Sequence, residues 1–168
     1  MDTQEQPFQK TLSRRSFLKS SAALTLAAGS FNKAFAAGGD KIKLGLIGSG
    51  GRGLHDTTNC LKSAANVELV AMGDAFKDRL DGTLNNLKTN FPDKIKVTPD
   101  SAFIGFDAYK KVLASDVDMV ILTEPPHFRS IHLRAAIEAG KHVFVEKPVA
   151  TDPVGCLLYT SPSPRDRS

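Results

Sequence analysis

Six consecutive residues constrain this chain more than any others: Gly48-Ser49-Gly50-Gly51-Arg52-Gly53. They follow Ile42-Lys43-Leu44-Gly45-Leu46-Ile47, a run apolar enough to be a strand inside a sheet. They open a segment, from about Gly53 to Ala64, that reads as a helix with Leu54, Leu61 and Ala65 on its inner face. A G-x-G-x-x-G spacing between strand and helix has a physical purpose. The first glycine permits the tight turn, the second lets a pyrophosphate approach the backbone, and the third lets helix and strand pack closely. Free N–H groups and the dipole at the helix N-terminus then attract the anion. Asp74 stands 21 residues beyond Gly53, at the end of a second apolar run, Val67–Met72. A carboxylate there accepts hydrogen bonds from adenosine ribose hydroxyls and repels a 2′-phosphate. The pattern therefore points to a dinucleotide, NAD in preference to NADP. Lys77 and Arg79 lie close enough in sequence to keep NADP possible.

The alternation continues downstream. Phe76, Leu80, Leu84 and Leu87 form one stripe of an amphipathic helix, broken at Asn90-Phe91-Pro92-Asp93. Ile95-Lys96-Val97 reads as a short third strand. Asp107 is placed to cap a short helix carrying Tyr109, Val112 and Leu113. Val117–Leu122 reads as a fourth strand, stopped by Pro125-Pro126. A helix follows from about Phe128 to Ala139, closed by Gly140, and His142–Val145 is a fifth strand. Alternating strands and helices of this kind predict an α/β fold, a doubly wound parallel sheet covered on both faces.

The two ends read differently from the middle. The net charge of +4 belongs to them: residues 1–36 carry +3, residues 156–168 carry +1, and residues 37–155 are neutral. With no basic patch interleaved with aromatics, nucleic-acid binding has no support. Ser13-Arg14-Arg15-Ser16-Phe17-Leu18-Lys19 holds an arginine pair before an Ala-rich run, Ser20 to Phe31, and a small-residue site, Ala34-Phe35-Ala36. The run is shorter than the about 18 apolar residues a membrane span needs. Charged region, apolar region and cleavage site follow the order of a signal peptide, and the arginine pair resembles a twin-arginine (Tat) export signal. That predicts a partner, the Tat translocase, and a periplasmic or exported destination. Tat carries folded proteins, which suits one that acquires a soluble cofactor before export. Beyond Gly155 the pattern stops. Cys156-Leu157-Leu158-Tyr159-Thr160-Ser161-Pro162-Ser163-Pro164-Arg165-Asp166 resembles a translated sequencing adaptor more than a continuation of the domain. The expected organisation is a signal peptide over 1–36, a dinucleotide-binding domain over 37–155 and a non-native tail over 156–168. On that reading Cys60 is the one native cysteine, and no disulfide framework or metal motif exists. No histidine has a second ligand at metal spacing; His55, His132 and His142 read as surface or structural residues.

Thr123-Glu124-Pro125-Pro126-His127 ends the fourth strand and Glu146-Lys147-Pro148 ends the fifth. Both lie at carboxyl ends of strands, where open α/β sheets bind ligands. Together with the stretch from Ala139 to Ala150, AGKHVFVEKPVA, they make residues 42–155 resemble the Gfo/Idh/MocA family of NAD(P)-dependent oxidoreductases. The resemblance implies a Rossmann domain followed by an α/β substrate domain that this chain lacks. It implies hydride transfer between the nicotinamide and a carbinol carbon of a sugar, polyol or related compound, in a homo-oligomer when full length. Lys147 takes the catalytic place near the nicotinamide and the reacting carbon. Glu146 helps to position cofactor or lysine, and the turn through Thr123, Glu124, Pro125, Pro126 and His127 contacts the nicotinamide half. Relatives usually carry Thr directly before Pro-Pro; here Glu124 stands there. The implied cofactor contacts are thus Gly48, Ser49, Gly50, Gly51, Arg52, Gly53, Asp74, Thr123–His127, Glu146 and Lys147, with no metal. Two other functions fit the same residues: an NAD-dependent glycosidase of the family, or a non-catalytic nucleotide-binding module. On the leading reading this chain binds dinucleotide but does not turn over substrate.

Overall fold

The structure, a computed structural model, describes residues 40–159. The signal region 1–36 and residues 160–168 lie outside the described residues. Five strands form one parallel sheet: β1 (Ile42–Ile47), β2 (Val67–Asp74), β3 (Ala102–Ile104), β4 (Met119–Leu122) and β5 (His142–Val145). Their spatial order is β3-β2-β1-β4-β5, so β1 is central and the direction of winding reverses beside it. The helices are α1 (Gly51–Ser63), α2 (Lys77–Asn90), α3 (Ala108–Ala114), α4 (Pro126–Glu138) and α5 (Pro153–Tyr159). Side chains of successive strand residues point to opposite faces. Leu44 and Leu46 of β1 therefore join Leu61 of α1 and Leu80 and Leu87 of α2 in one core layer. Ile47 joins Val112 and Leu113 of α3 and Leu133 and Ala136 of α4 in the other. The doubly wound arrangement follows from apolar residues on both faces of the central strands. Among the described residues no helix is long and apolar enough to cross a membrane.

Several local expectations are corrected. The third strand is β3 at Ala102–Ile104, not Ile95–Val97; the earlier segment contributes only an isolated bridge, Leu69 to Ile95. Ile95 and Val97 are buried as their apolarity requires. The chain then turns at Thr98–Ser101, where Pro99 has no N–H to give a ladder and a reciprocal Thr98–Ser101 capping box closes a 3-10 turn. Phe76 does not extend the α2 stripe inward: it is the N-cap residue in extended conformation, 61% exposed. Ala65 lies past the end of α1 and is exposed. Asp107 does occupy the N-cap position of α3, yet its carboxylate makes no cap bond and pairs with Lys110 at 2.7 Å. Gly140, at φ +67°, terminates α4 as expected. Helix α5 runs through the expected boundary after Gly155. Gly155 is buried, while Cys156 and Leu157 are exposed.

Candidate functional site

The carboxyl ends of β1, β2, β4 and β5 surround a cleft of about 450 Å³. Its floor is the turn from β1 into α1. Gly48 has φ +92°, a conformation L side chains avoid, and a Cβ there would lie 2.5 Å from the Glu124 nitrogen. At Gly53 a Cβ would meet the Gly48 carbonyl oxygen at 2.1 Å, so helix and strand touch through this glycine. Gly50 and Gly51 are the opposite case: a Cβ on either would meet nothing within 4 Å. Their bare backbone opens onto the cleft at the start of α1, whose N-cap Gly50 offers no side chain to the first-turn amides. That is the cradle a pyrophosphate requires.

The turn is pinned from three sides. The Thr83 hydroxyl of α2 donates to the Ser49 carbonyl at 2.6 Å. The Thr123 hydroxyl donates to the Gly48 carbonyl at 2.6 Å. Asp74 accepts from the Ser49 N–H at 2.5 Å and, on its other oxygen, from the Phe76 N–H at 2.9 Å. A carboxylate has about four lone-pair sites, so Asp74 keeps acceptor capacity for a ligand hydroxyl.

On the far side, two loops carry the remaining candidates. Glu124 and Glu146 are buried, while Pro125 and Lys147 are exposed along the cleft. A residue that sequence reasoning missed ties these loops together. Arg129 of α4, 4% exposed, donates to the carbonyls of Glu146 (2.8 Å), Pro148 (2.6 Å) and Glu124 (2.5 Å). One buried guanidinium thus sets the distance between the loop after β4 and the loop after β5. Beside it, the Glu124 carboxylate faces His132 Nδ1 at 3.3 Å, and His132 stacks on Tyr109 with ring centroids 4.1 Å apart. His132, expected to be a surface or structural residue, also lines the cleft.

Arg52 reaches across the cleft. Its guanidinium bonds Glu146 and stands 3.3 Å from Asp56. The Arg52 guanidinium holds the Glu146 carboxyl below the usual carboxylate range, and Glu146 in turn holds the guanidinium protonated. Burial pushes the Asp56 carboxyl up against the opposing pull of Arg52. Of the expected site residues, Gly48, Gly50, Gly51, Arg52, Asp74, Thr123, Glu124, Pro125, Glu146 and Lys147 line one cleft. Ser49 and Gly53 lie beneath the turn, buried. Pro126 and His127 begin α4 outside the cleft lining, and His127 packs edge-on against Phe128. Among the described residues no cluster of His, Cys, Asp or Glu could hold a metal ion.

Residues 42–157 match the Gfo/Idh/MocA oxidoreductase family, described by its NAD-binding Rossmann fold. The chain belongs to that family. Residues 11–30, outside the described residues, match the twin-arginine translocation pathway signal sequence, so the chain is addressed to the Tat translocase and is periplasmic or exported. Among similar proteins, the inositol 2-dehydrogenase/D-chiro-inositol 3-dehydrogenase of Halalkalibacterium halodurans is 30% identical over 69% of this chain and 30% of its own length. An inositol 2-dehydrogenase of Klebsiella pneumoniae is 30% identical over 68% of this chain and 31% of its own. The crystal structure of apo scyllo-inositol dehydrogenase from Lactobacillus casei superposes with a TM-score of 0.54 at 26% identity, over 69% of this chain and 31% of that one. A 3-ketoreductase from Actinomadura kijaniata, crystallised with NADP, superposes at 0.53 with 25% identity, over 70% of this chain and 34% of that one. The chain thus spans about a third of the length of these relatives.

Proposed function

We propose that this chain is the dinucleotide-binding part of an exported oxidoreductase that transfers a hydride between NAD and a carbinol carbon of a sugar, polyol or related compound. One observation carries the reading: a single cleft holds the open glycine turn, the Asp74 carboxylate on one side and Lys147 on the other. The dehydrogenases among the similar proteins act, by name, on inositols, which supports a polyhydroxylated substrate. The residues present fit a dinucleotide, because the absent side chains at Gly50 and Gly51 leave room where the helix N-terminus attracts a pyrophosphate. Asp74 takes the adenosine ribose and disfavours a 2′-phosphate, so NAD is the proposed cofactor over NADP.

When bound, the nicotinamide supplies the hydride acceptor or donor. The chain's own residues position it and manage the proton. As a carbonyl is reduced, the Lys147 ammonium stabilises the developing alkoxide and donates a proton to its oxygen; in the reverse direction the neutral amine takes the hydroxyl proton as hydride leaves the carbinol carbon. Glu146 and Arg129 fix the loop that presents it. The remaining substrate contacts and a homo-oligomeric state are proposed for the protein that also carries the family's substrate domain. The proposed organisation assigns 1–36 to the signal peptide, 37–155 to the dinucleotide domain and 156–168 to a tail without a role in the site.

Titration calorimetry of this chain with NAD and NADP tests the first half: NAD binds, and more tightly than NADP. Absence of NAD binding by the folded chain refutes the proposal. In the protein with its substrate domain, Lys147→Met should leave NAD affinity nearly intact and slow single-turnover hydride transfer by about 10²–10⁴-fold. Transfer at the parent's rate removes Lys147 from the chemistry.

A further inference from the structure

Arg52 sits inside the glycine turn, where a guanidinium is well placed to meet phosphate. The structure also gives it protein partners. Its side chain leaves α1 and passes the end of β4 to reach Glu146 after β5, and β1 and β5 are not neighbours in the sheet. The link joins residues 94 positions apart. Its Nε stands 3.3 Å from the Asp56 carboxylate, one helical turn along α1. Asp56 and Glu146 are both nearly buried, at 6% and 10% side-chain exposure, whereas Arg52 is half exposed. One half-exposed cation therefore stands between two enclosed carboxylates that otherwise repel each other. The Glu146 oxygen that Arg52 leaves free accepts the backbone N–H of Lys147 at 3.2 Å. The Glu146 rotamer selected by Arg52 is thus the one that fixes the peptide unit from which the Lys147 side chain departs.

We infer that Arg52 is a positioning residue for Lys147, acting through Glu146, and that it couples the dinucleotide turn to the loop bearing the reacting lysine. The inference rests on the proposed function only for its purpose; the mechanical link stands on the contacts themselves. A bound pyrophosphate beside Arg52 would be sensed at Lys147 through one side chain. The planar guanidinium is suited to the task, because it serves two carboxylates at once in a fixed fork that a lysine ammonium cannot reproduce.

The test is a double-mutant cycle on this chain: R52M, E146Q and the pair. Limited acetic anhydride labelling with mass spectrometry reads the acetylation rate of Lys147 Nζ. Calorimetry with ADP reads the phosphate site. R52M and E146Q should each change the Lys147 rate by about threefold or more, and the double variant should match the single ones, since Arg52 has no route to Lys147 once Glu146 is altered. R52K, which keeps the charge without the fork, should fall between R52M and the parent. Additive effects in the double variant, or an unchanged Lys147 rate, overturn the inference. So does a loss of about tenfold or more in ADP affinity with the Lys147 rate unmoved, which makes Arg52 a phosphate ligand instead. If R52M fails to fold, R52K takes its place in the cycle: R52K/E146Q should match E146Q alone, and additive effects overturn the inference. Protection of Lys147 by NAD in the parent is a separate measurement. Its absence counts against the proposed function and leaves the link between Arg52, Glu146 and Lys147 standing.

Discussion

Two alanine substitutions three residues apart, at Gly50 and Gly53, but opposite in consequence, separate the glycines that build the turn from those that face the ligand. In Gly53→Ala the new Cβ would lie 2.1 Å from the Gly48 carbonyl oxygen and 2.9 Å from Thr123 Oγ1. To restore ordinary contact the start of α1 must move from β1 by about 1 Å, in an interior packed as densely as an organic crystal. Overpacking of this kind costs about 1–3 kcal/mol. Disturbing the Thr123–Gly48 hydrogen bond adds about 1 kcal/mol. The lower chain entropy of unfolded alanine returns about 0.4–1 kcal/mol. The net loss is about 1–3.5 kcal/mol, which for a domain of this size lowers Tm by roughly 5–15 °C. In Gly50→Ala the backbone already has φ −75° and the Cβ meets nothing within 4 Å. The entropic gain and the poorer N-cap preference of alanine offset each other, so stability stays within about 0.5 kcal/mol of the parent. The methyl group nonetheless projects into the cradle at the helix N-terminus. Losing one or two charge-assisted hydrogen bonds to pyrophosphate weakens NAD binding by about 10-fold or more. Urea melts followed by circular dichroism measure the first effect and calorimetric titration with NAD the second. A Gly53→Ala variant as stable as the parent, or a Gly50→Ala variant that binds NAD as tightly, refutes the assignment of these two glycines.

Two further outcomes follow from the same contacts. Asp74→Ala should narrow the difference between NAD and NADP affinities, measured by titrating both, since ribose bonds and phosphate repulsion disappear together; an unchanged ratio shows that Asp74 does not discriminate. Glu146, whose carboxyl Arg52 and the Lys147 N–H hold below the usual range, adds stability that is fully present above its unfolded pKa and drains away as pH falls from about 4.3 through the folded value. Acid titration of unfolding should therefore show E146Q losing less stability than the parent below about pH 4.3; parallel curves would sink the pairing.

The glycine turn was readable from sequence because its meaning is local. The conformation of Gly48 and the close approach at Gly53 follow from six consecutive residues and their flanks. The same holds for the alternation of strands and helices, for the stop at Gly140, and for Asp74 at the end of β2, since spacing alone sets which face or terminus a residue occupies. The third strand failed this test. Ile95 and Val97 are apolar enough for a strand and are duly buried, but which three residues pair with the edge of β2 depends on where the Pro99 turn lets the backbone align. Phe76 failed for a related reason: its position on the helical stripe is correct, yet the helix starts one residue later, leaving the ring at the mouth of the cleft.

What lay beyond the sequence was the destination of the long charged side chains. Arg52 and Arg129 look alike in the linear pattern, each within the first turn of a helix that follows a strand. One is half exposed and bridges two carboxylates; the other is buried and binds three carbonyls. Local propensity determines where such a residue starts, and the strand order β3-β2-β1-β4-β5 determines which loops come within its reach. A guanidinium at the end of a flexible stem goes to the acceptors that have lost their water, and only the folded sheet decides which acceptors those are.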